Sequence, residues 1–321
     1  MDQKVIFKFR VNTPEELIES NNFITEKVSI NHSKLVKPIK SFPVTMRYLN
    51  PFEEELSIKA IKDKKTNFKE DDVEYSINAL GYRNSRPVEE MHNSVGAWGC
   101  SYTLGVGVPY ADIYSSILER KLNTPVHNFG LPGAGMQRIT RSFIVNNNYF
   151  KFNTAFFVIP SLYRFEYLSF NNYSTEKEIL SDAISTFDLI PNWAPKHNKA
   201  LARKSRMFYE IHDEAFFIME LSKNLELIKQ NAELNDTKVY FTTWCDQVDK
   251  FLLKYDMPGV ELVQFIENNE NFLNNSVYNF ARDGYHPGLK SHQATANALY
   301  GLYKGIRPSK SIENKQKLKF I

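Results

Sequence analysis

The stretch VGAWGCSYTLGVGVP, residues 95–109, decides how the chain reads. A short apolar run ends at Gly99, and Cys100 and Ser101 follow before Gly105 and Gly107. This is the pattern of a buried strand that stops in a tight turn and starts a helix. In open α/β folds such a turn lies at the carboxyl edge of the sheet, where ligands bind. Gly99 and Gly105 relieve crowding around it. Strand side chains alternate, so Ser101 is expected to point out of the turn and Cys100 back toward the sheet. That makes Ser101 a candidate nucleophile and Cys100 a buried structural thiol.

The segments around this turn alternate strand with helix, the sign of a parallel sheet wrapped by helices. NSVGAWG is the first strand. DIYSSILERKLN follows as a helix with Ile113, Ile117, Leu118 and Leu122 on one face. PVHNFG is the second strand and GMQRITRSFIVNNNYF the second helix. TAFFVIP is a continuous apolar run of strand length, as a buried parallel strand requires. EAFFIMELSKNLELIKQNAEL reads as a long helix, KVYFTTW as a strand and VELVQFI as a short one. LKSHQATANALYGLYK closes as a helix with Leu289, Ala296, Leu299 and Tyr303 on one side. Residues 1–76 read as an N-terminal extension without chemistry, expected to cover a sheet edge or meet a partner. In it KVIFKFRV alternates as a strand, and TPEELIES opens a helix with Thr13 as N-cap. ELSIKAIKDKKTNFKEDD, polar and rich in lysine, reads as an exposed strand or connector. The α/β domain then runs over 77–306 with a helical insertion around 165–235, and 307–321 form a basic tail.

Composition narrows the function classes. The 321 residues are 42% hydrophobic and 24% charged, ordinary for a globular protein. A net charge of +3 does not suggest a dedicated nucleic-acid binder. Cys100 and Cys245 lie far apart and build neither a disulfide framework nor a zinc spacing. No run approaches the ~20 apolar residues of a membrane span. The N-terminus carries no apolar signal segment, so a cytoplasmic protein is expected, with leaderless export or virion association left open. Gly133-Ala134-Gly135 fails as a dinucleotide fingerprint, because its third glycine would fall at Arg138. His92, His127, His197, His212 and His292 have no partners at metal-ligand spacing.

A serine is a weak nucleophile until a histidine takes its proton and a third group holds that histidine. ARDGYHPG supplies both, with Asp283 and His286 three residues apart. On one loop that spacing lets the carboxylate reach Nδ1 while Nε2 faces outward. Gly130 follows the second strand and opens a glycine-rich loop. Its amide, with that of Ser101, could donate to an oxyanion, and one such donor is worth about 2.7–4 kcal/mol in the transition state.

These pieces, in this order over roughly residues 77–305, resemble the SGNH (GDSL-type) hydrolase family. The resemblance implies a three-layer α/β/α flavodoxin-like sandwich that cleaves esters, including acetyl groups on sugars, with no metal or cofactor. It makes Ser101 the nucleophile, His286 the base and then the acid, Asp283 its orienting partner, and Gly130 the oxyanion glycine. INALGYR, with Gly81 and Arg83, resembles a lead-in to the first block. Two departures stand out. The family usually has aspartate where this chain has Cys100. The family's third block, Gly-x-Asn-Asp, supplies an asparagine donor to the oxyanion, but here the strand runs into FFVIPSLYRFEY. Ser161 would replace it as a neutral donor, or Arg164 as a charged one or as a holder of an acidic substrate group. Tyr163, Phe165 and Tyr167 alternate as core on one face and rim on the other, or as a platform for sugar rings. The expectation is a serine esterase for a small acyl ester, such as an O-acetyl group on a carbohydrate. The substrate is a small-molecule or glycan ester, with no nucleic-acid or membrane partner. The rivals are a catalytically inactive glycan-binding or structural protein on the same fold, and an acyltransferase using the same triad.

Overall fold

In the computed structural model, β1 (Val44–Met46) pairs antiparallel with β2 (Tyr75–Ile77), and helix α1 (Pro51–Lys62) lies between them in sequence. The structure describes residues 44–49, 51–69, 73–78, 80–84, 86, 88–170, 184–189, 199–245, 248, 262, 263 and 280–305. The α/β part runs in the order β3 (Val95–Gly99), α2 (Ser101–Leu104), α3 (Tyr114–Leu122), β4 (Val126–Gly130), α4 (Met136–Phe150) and β5 (Thr154–Ile159). A hairpin follows, β6 (Phe165–Phe170) with β7 (Ile184–Leu189), and then α5 (Lys199–Ile211) and α6 (Glu214–Leu234). β8 (Lys238–Thr243), β9 (Leu262–Val263) and α7 (Leu289–Tyr303) complete it.

The main sheet has five strands in the order β4-β3-β5-β8-β9, every neighbouring pair parallel. Numbered by appearance within the sheet this is 2-1-3-4-5, the flavodoxin-like doubly wound order. Its direction of winding reverses between β3 and β5, and that switch point is where such folds bind ligands.

Two apolar layers cover the sheet, which makes three layers in all. Ala155, Phe157 and Ile159 of β5 join Trp98 and Phe129 in a core closed by Ile139 and Phe143 of α4 and Phe217, Leu221 and Leu225 of α6. Phe156 and Val158 face the other way, with Val95, Ala97, Ile117 and Leu118 of α3 and Ala296 and Leu299 of α7. The strand reading of TAFFVIP rests on this double burial, since every residue of β5 is buried. Trp98 organises the first layer. Its ring stacks on Phe129 at 4.5 Å and 6°, and meets Phe143 and Phe152 edge-on, both at 5.1 Å. Gly96 makes the room: a Cβ there would lie 2.3 Å from the Trp98 ring.

Some expectations change. PFEEELSIKAIK is a helix, not an exposed strand or connector. Its buried positions are Glu53, Ser57 and Ala60, a helical spacing carried by polar and small residues, which hydrophobic periodicity does not register. The boundary expected after residue 76 falls inside β2, and Tyr75 and Ile77 share an apolar cluster with Leu104 and Val106. The insertion expected to be helical opens with the β6–β7 hairpin. On α7, Leu289 and Tyr303 are 39% and 38% exposed. The buried stripe instead runs through His292, Thr295, Ala296, Leu299 and Leu302. KVIFKFRV, TPEELIES, residues 307–321 and His197 lie outside the described residues.

Gly96→Ala should push Trp98 off Phe129 and cost on the order of 1–3 kcal/mol, the usual penalty of overpacking a filled core. Denaturant unfolding followed by tryptophan fluorescence measures it, and a midpoint equal to wild type would contradict the packing described.

Candidate active site

β3 stops at Gly99 because the chain must turn there: a Cβ would lie 2.0 Å from Thr103 Oγ1 and 2.9 Å from the Val158 carbonyl. Cys100 remains extended, with φ −91° and ψ −152°, and Ser101 starts the single turn of α2. Gly105 ends that turn in the left-handed region at φ +78°, its amide donating to the carbonyls of Ser101 and Tyr102, both at 3.0 Å. Cys100 is buried in the apolar layer with Ala97, Phe156 and Val158, as the alternation implies. Ser101 retains 7% exposure. It therefore stands at the carboxyl end of β3, on the switch point of the sheet.

The second loop sits just before α7. The Ala281 amide donates to the His286 carbonyl at 2.9 Å and closes it, and Gly284 turns it at φ +66°. Asp283 Oδ1 accepts the amides of Tyr285 and His286, each at 3.0 Å. Its Oδ2 stands 2.6 Å from His286 Nδ1. An ionised carboxylate only accepts, so Nδ1 carries the proton and Nε2 is the basic nitrogen. Burial pushes the Asp283 carboxyl up, but the charge of His286 and hydrogen bonds from its ring and from two amides outweigh that and hold it below the usual range. The two loops touch: the Arg282 amide donates to the Gly107 carbonyl at 2.8 Å. Among the described residues no hydrogen bond joins Ser101 Oγ to His286 Nε2. Catalytic contacts of this kind are commonly loose without substrate.

Two buried arginines fasten these loops to the residues before the sheet. Arg83 donates through Nη1 to the carbonyls of Leu104 and Gly105 at 3.2 and 2.6 Å, and through Nη2 to those of Glu74 and Val108 at 2.8 and 2.9 Å. It also lies 4.3 Å over the Tyr75 ring. Arg282 reaches Ser57 Oγ at 3.3 Å, the carbonyls of Val73 and Arg47, both at 3.0 Å, and Glu53 Oε1 at 2.8 Å. Burial pushes the Glu53 carboxyl up, against hydrogen bonds from Tyr75 and the Leu49 amide and the charge of Arg282. Residues before 77 thus shape the site, and Arg83 of INALGYR has a placed role.

The expected oxyanion donors separate. Ser101's amide makes no hydrogen bond among the described residues. Gly130's amide is engaged, donating to Asn128 Oδ1 at 2.8 Å. Gly130 instead permits a close approach, since a Cβ there would lie 2.1 Å from the Leu104 nitrogen. The loop beyond it, Leu131-Pro132-Gly133-Ala134, closes with the Ala134 amide on the Leu131 carbonyl at 3.1 Å, with Gly133 at φ +75°. Proline second and a left-handed glycine third make this a type II turn. The Gly133 amide has no partner among the described residues. Sequence reasoning passed over it, although Pro132-Gly133 is a turn signal. At the end of β5, Leu162 is buried in the first apolar layer. Ser161 accepts the Arg164 amide at 3.2 Å through its carbonyl. The Arg164 guanidinium lies 5.5 Å over the Trp244 ring, in a small cleft with Gln137, Pro160 and Glu220. Neither Ser161 nor Arg164 hydrogen-bonds Ser101 in the described structure. Tyr163 packs edge-on to Phe217 and Phe165 against Phe208, so both face helices rather than a sugar-binding rim. The Tyr167 side chain lies outside the described residues.

The sheet order, the serine turn after its first strand and the Asp-x-x-His loop before its last helix agree in layout. The fold is a three-layer α/β/α sandwich with the flavodoxin-like strand order. No protein-family model matches the chain, and no curated protein does. One solved structure it resembles is assigned to the G-D-S-L lipolytic family, from Desulfitobacterium hafniense DCB-2. That likeness has 10% identity and a TM-score of 0.40, over 64% of this chain and 97% of that one. Another is the psychrotrophic esterase EstA from Pseudoalteromonas sp., in a form inhibited by monoethylphosphonate. It has 10% identity and a TM-score of 0.39, over 66% of this chain and 97% of that one. After β5 an apolar leucine follows Ser161.

Among the described residues no three His, Cys, Asp or Glu side chains come together to hold a metal ion, and no helix is long and apolar enough to cross a membrane. His127 bonds Asn84 Nδ2 at 2.9 Å and the Glu90 carbonyl at 3.2 Å. His292 lies under the serine turn, its Nδ1 accepting the Tyr114 amide at 3.1 Å. Its pKa is pushed down to about 3, by burial first and then by the charges of Arg83 and His286. An unfolded chain protonates this ring near pH 6.5. Between those values the unfolded state holds the extra proton. The contribution is therefore complete above the unfolded pKa and lost as the pH falls, at about 1.4 kcal/mol per pH unit. His292→Gln should flatten the pH slope of unfolding free energy between about pH 4 and 6 by roughly one proton, read from denaturant titrations across that range.

Proposed function

We propose that this chain is a serine esterase that hydrolyses a small acyl ester. Ser101 Oγ attacks the carbonyl carbon while His286 Nε2 takes its proton. The same nitrogen then protonates the departing alcohol, leaving an acyl-serine. Water, deprotonated by His286, attacks that ester and frees the acid and the enzyme. Asp283 holds the imidazole with Nε2 outward and stabilises its charged form. The observation that carries this reading is the 2.6 Å contact between Asp283 Oδ2 and His286 Nδ1, on a loop bonded directly to the serine turn. The low exposure of Ser101 favours a small acyl group such as acetyl. The amides of Ser101 and Gly133, both unpartnered among the described residues, are the donors we assign to the oxyanion. With Leu162 buried in the apolar layer and neither Ser161 nor Arg164 bonded to Ser101 among the described residues, turnover is expected to be modest.

Wild type should hydrolyse nitrophenyl acetate, and Ser101→Ala should lose about a thousandfold or more in kcat. A fluorophosphonate should label wild type at Ser101. Equal rates in the two proteins together with an unlabelled Ser101 would favour instead a protein that binds its ligand without turnover. The buried Leu162 and the lack of a Ser101–His286 hydrogen bond among the described residues are the features consistent with that alternative.

A further inference from the structure

We propose that Tyr75, which precedes the sheet, is a positioning residue for the Asp283–His286 pair. This rests on taking Ser101, His286 and Asp283 as the reacting groups. The Arg282 amide donates to the Gly107 carbonyl at 2.8 Å, and the Gly107 amide donates to the Tyr75 hydroxyl at 2.7 Å. That hydroxyl donates to Glu53 Oε1, and Arg282 Nη2 donates to the same oxygen at 2.8 Å. The four bonds form a closed ring. One member, Gly107, belongs to the serine turn, and another, Arg282, adjoins Asp283.

Tyr75 and Arg282 are fully buried and Glu53 is 3% exposed, so the ring of bonds is shielded from bulk solvent. Gly107 can bring no side chain to the task. Its φ is +70°, and a Cβ there would lie 2.9 Å from the Ala281 side chain and 3.0 Å from the Arg282 nitrogen. The Arg83 guanidinium grips the same turn but among the described residues bonds Leu104, Gly105, Val108 and Glu74, none of them in the Asp283 loop. Burial and the charge of Glu53 keep the Tyr75 hydroxyl protonated, as its role of donor requires. The hydroxyl thereby couples the height of the serine turn to that of the aspartate–histidine loop. An error of about an ångström in such a spacing can cost a hundredfold in rate.

The test uses the full chain, labelled with 15N-histidine, carrying Tyr75→Phe. Its first readout is the far-downfield proton on His286 Nδ1, assigned by its loss in His286→Gln. That signal should shift or broaden in Tyr75→Phe. It should not move in Tyr82→Phe, which removes a comparably buried hydroxyl bonded to Ser142 at 3.0 Å in the layer of α4. The second readout is ester turnover, where kcat should fall about tenfold or more with KM within about twofold. A resonance and kcat equal to wild type, or the same change in Tyr82→Phe, would overturn the proposal. If wild type turns over no ester, the esterase reading fails and the resonance still decides the role of Tyr75. If Tyr75→Phe does not fold, Ser57→Ala replaces it, since it frees one bond of Arg282 at 3.3 Å. A shifted His286 signal then supports the coupling, and an unshifted one refutes it.

Discussion

The guanidinium of Arg282 is fully buried, and the site depends on its being satisfied there. An ion taken out of water costs several kcal/mol unless a counter-charge and enough acceptors meet it. Glu53 supplies the charge, and Ser57, Val73 and Arg47 supply acceptors. Every one of those groups comes from residues 47–73, ahead of the sheet. Removing one partner of such a buried pair typically costs about 3–5 kcal/mol, since the other charge is left stranded. The neighbour of Asp283 is thus anchored by a part of the chain that holds no reacting group. Arg83 anchors the serine turn in the same manner, through backbone carbonyls alone.

The sheet provides the position and these anchors provide the detail. A parallel sheet in 2-1-3-4-5 order brings the ends of β3 and β5 together at its switch point. Close-packed aromatics around Trp98 fix the strands on one side, and the α3–α7 layer fixes them on the other. The serine turn on such a base is held from below by packing. From above it is held by hydrogen bonds to chain segments distant in sequence. Its conformation therefore does not depend on the local preference of GCSYTLG.

Much of this was legible in the sequence because apolar spacing reports burial. TAFFVIP, VGAWG and PVHNFG read as strands since each residue of the resulting strands is buried. EAFFIMELSKNLELIKQNAEL read as a helix and is one from end to end. The spacing of Asp283 and His286 announced a pair that the structure joins at 2.6 Å. What escaped was burial of polar groups. α1 hides Glu53, Ser57 and Ala60, so its inward face looks like a solvated one. Arg282, beside Asp283, carries no sign in the sequence that it is buried. Gly130 looked like a donor because a strand-end glycine offers an amide. Only coordinates reveal that Asn128 already occupies that amide and that Leu104 requires the missing side chain. Pro132-Gly133 did carry a signal, but a turn signal does not say which amide is left over.

The bond from the Arg282 amide to the Gly107 carbonyl bears on how the molecule is made. A chain leaving the ribosome presents the serine turn before the Asp283 loop. Until the later loop emerges, the Gly107 carbonyl and the face of Glu53 meant for Arg282 have only solvent to bond. Strands β3, β4 and β5 can pair around Trp98 beforehand, but the bond between the two loops forms only once the later one has emerged. A chain shortened before Arg282 therefore keeps the grip of Arg83 on the serine turn but loses the link that sets the second loop against it.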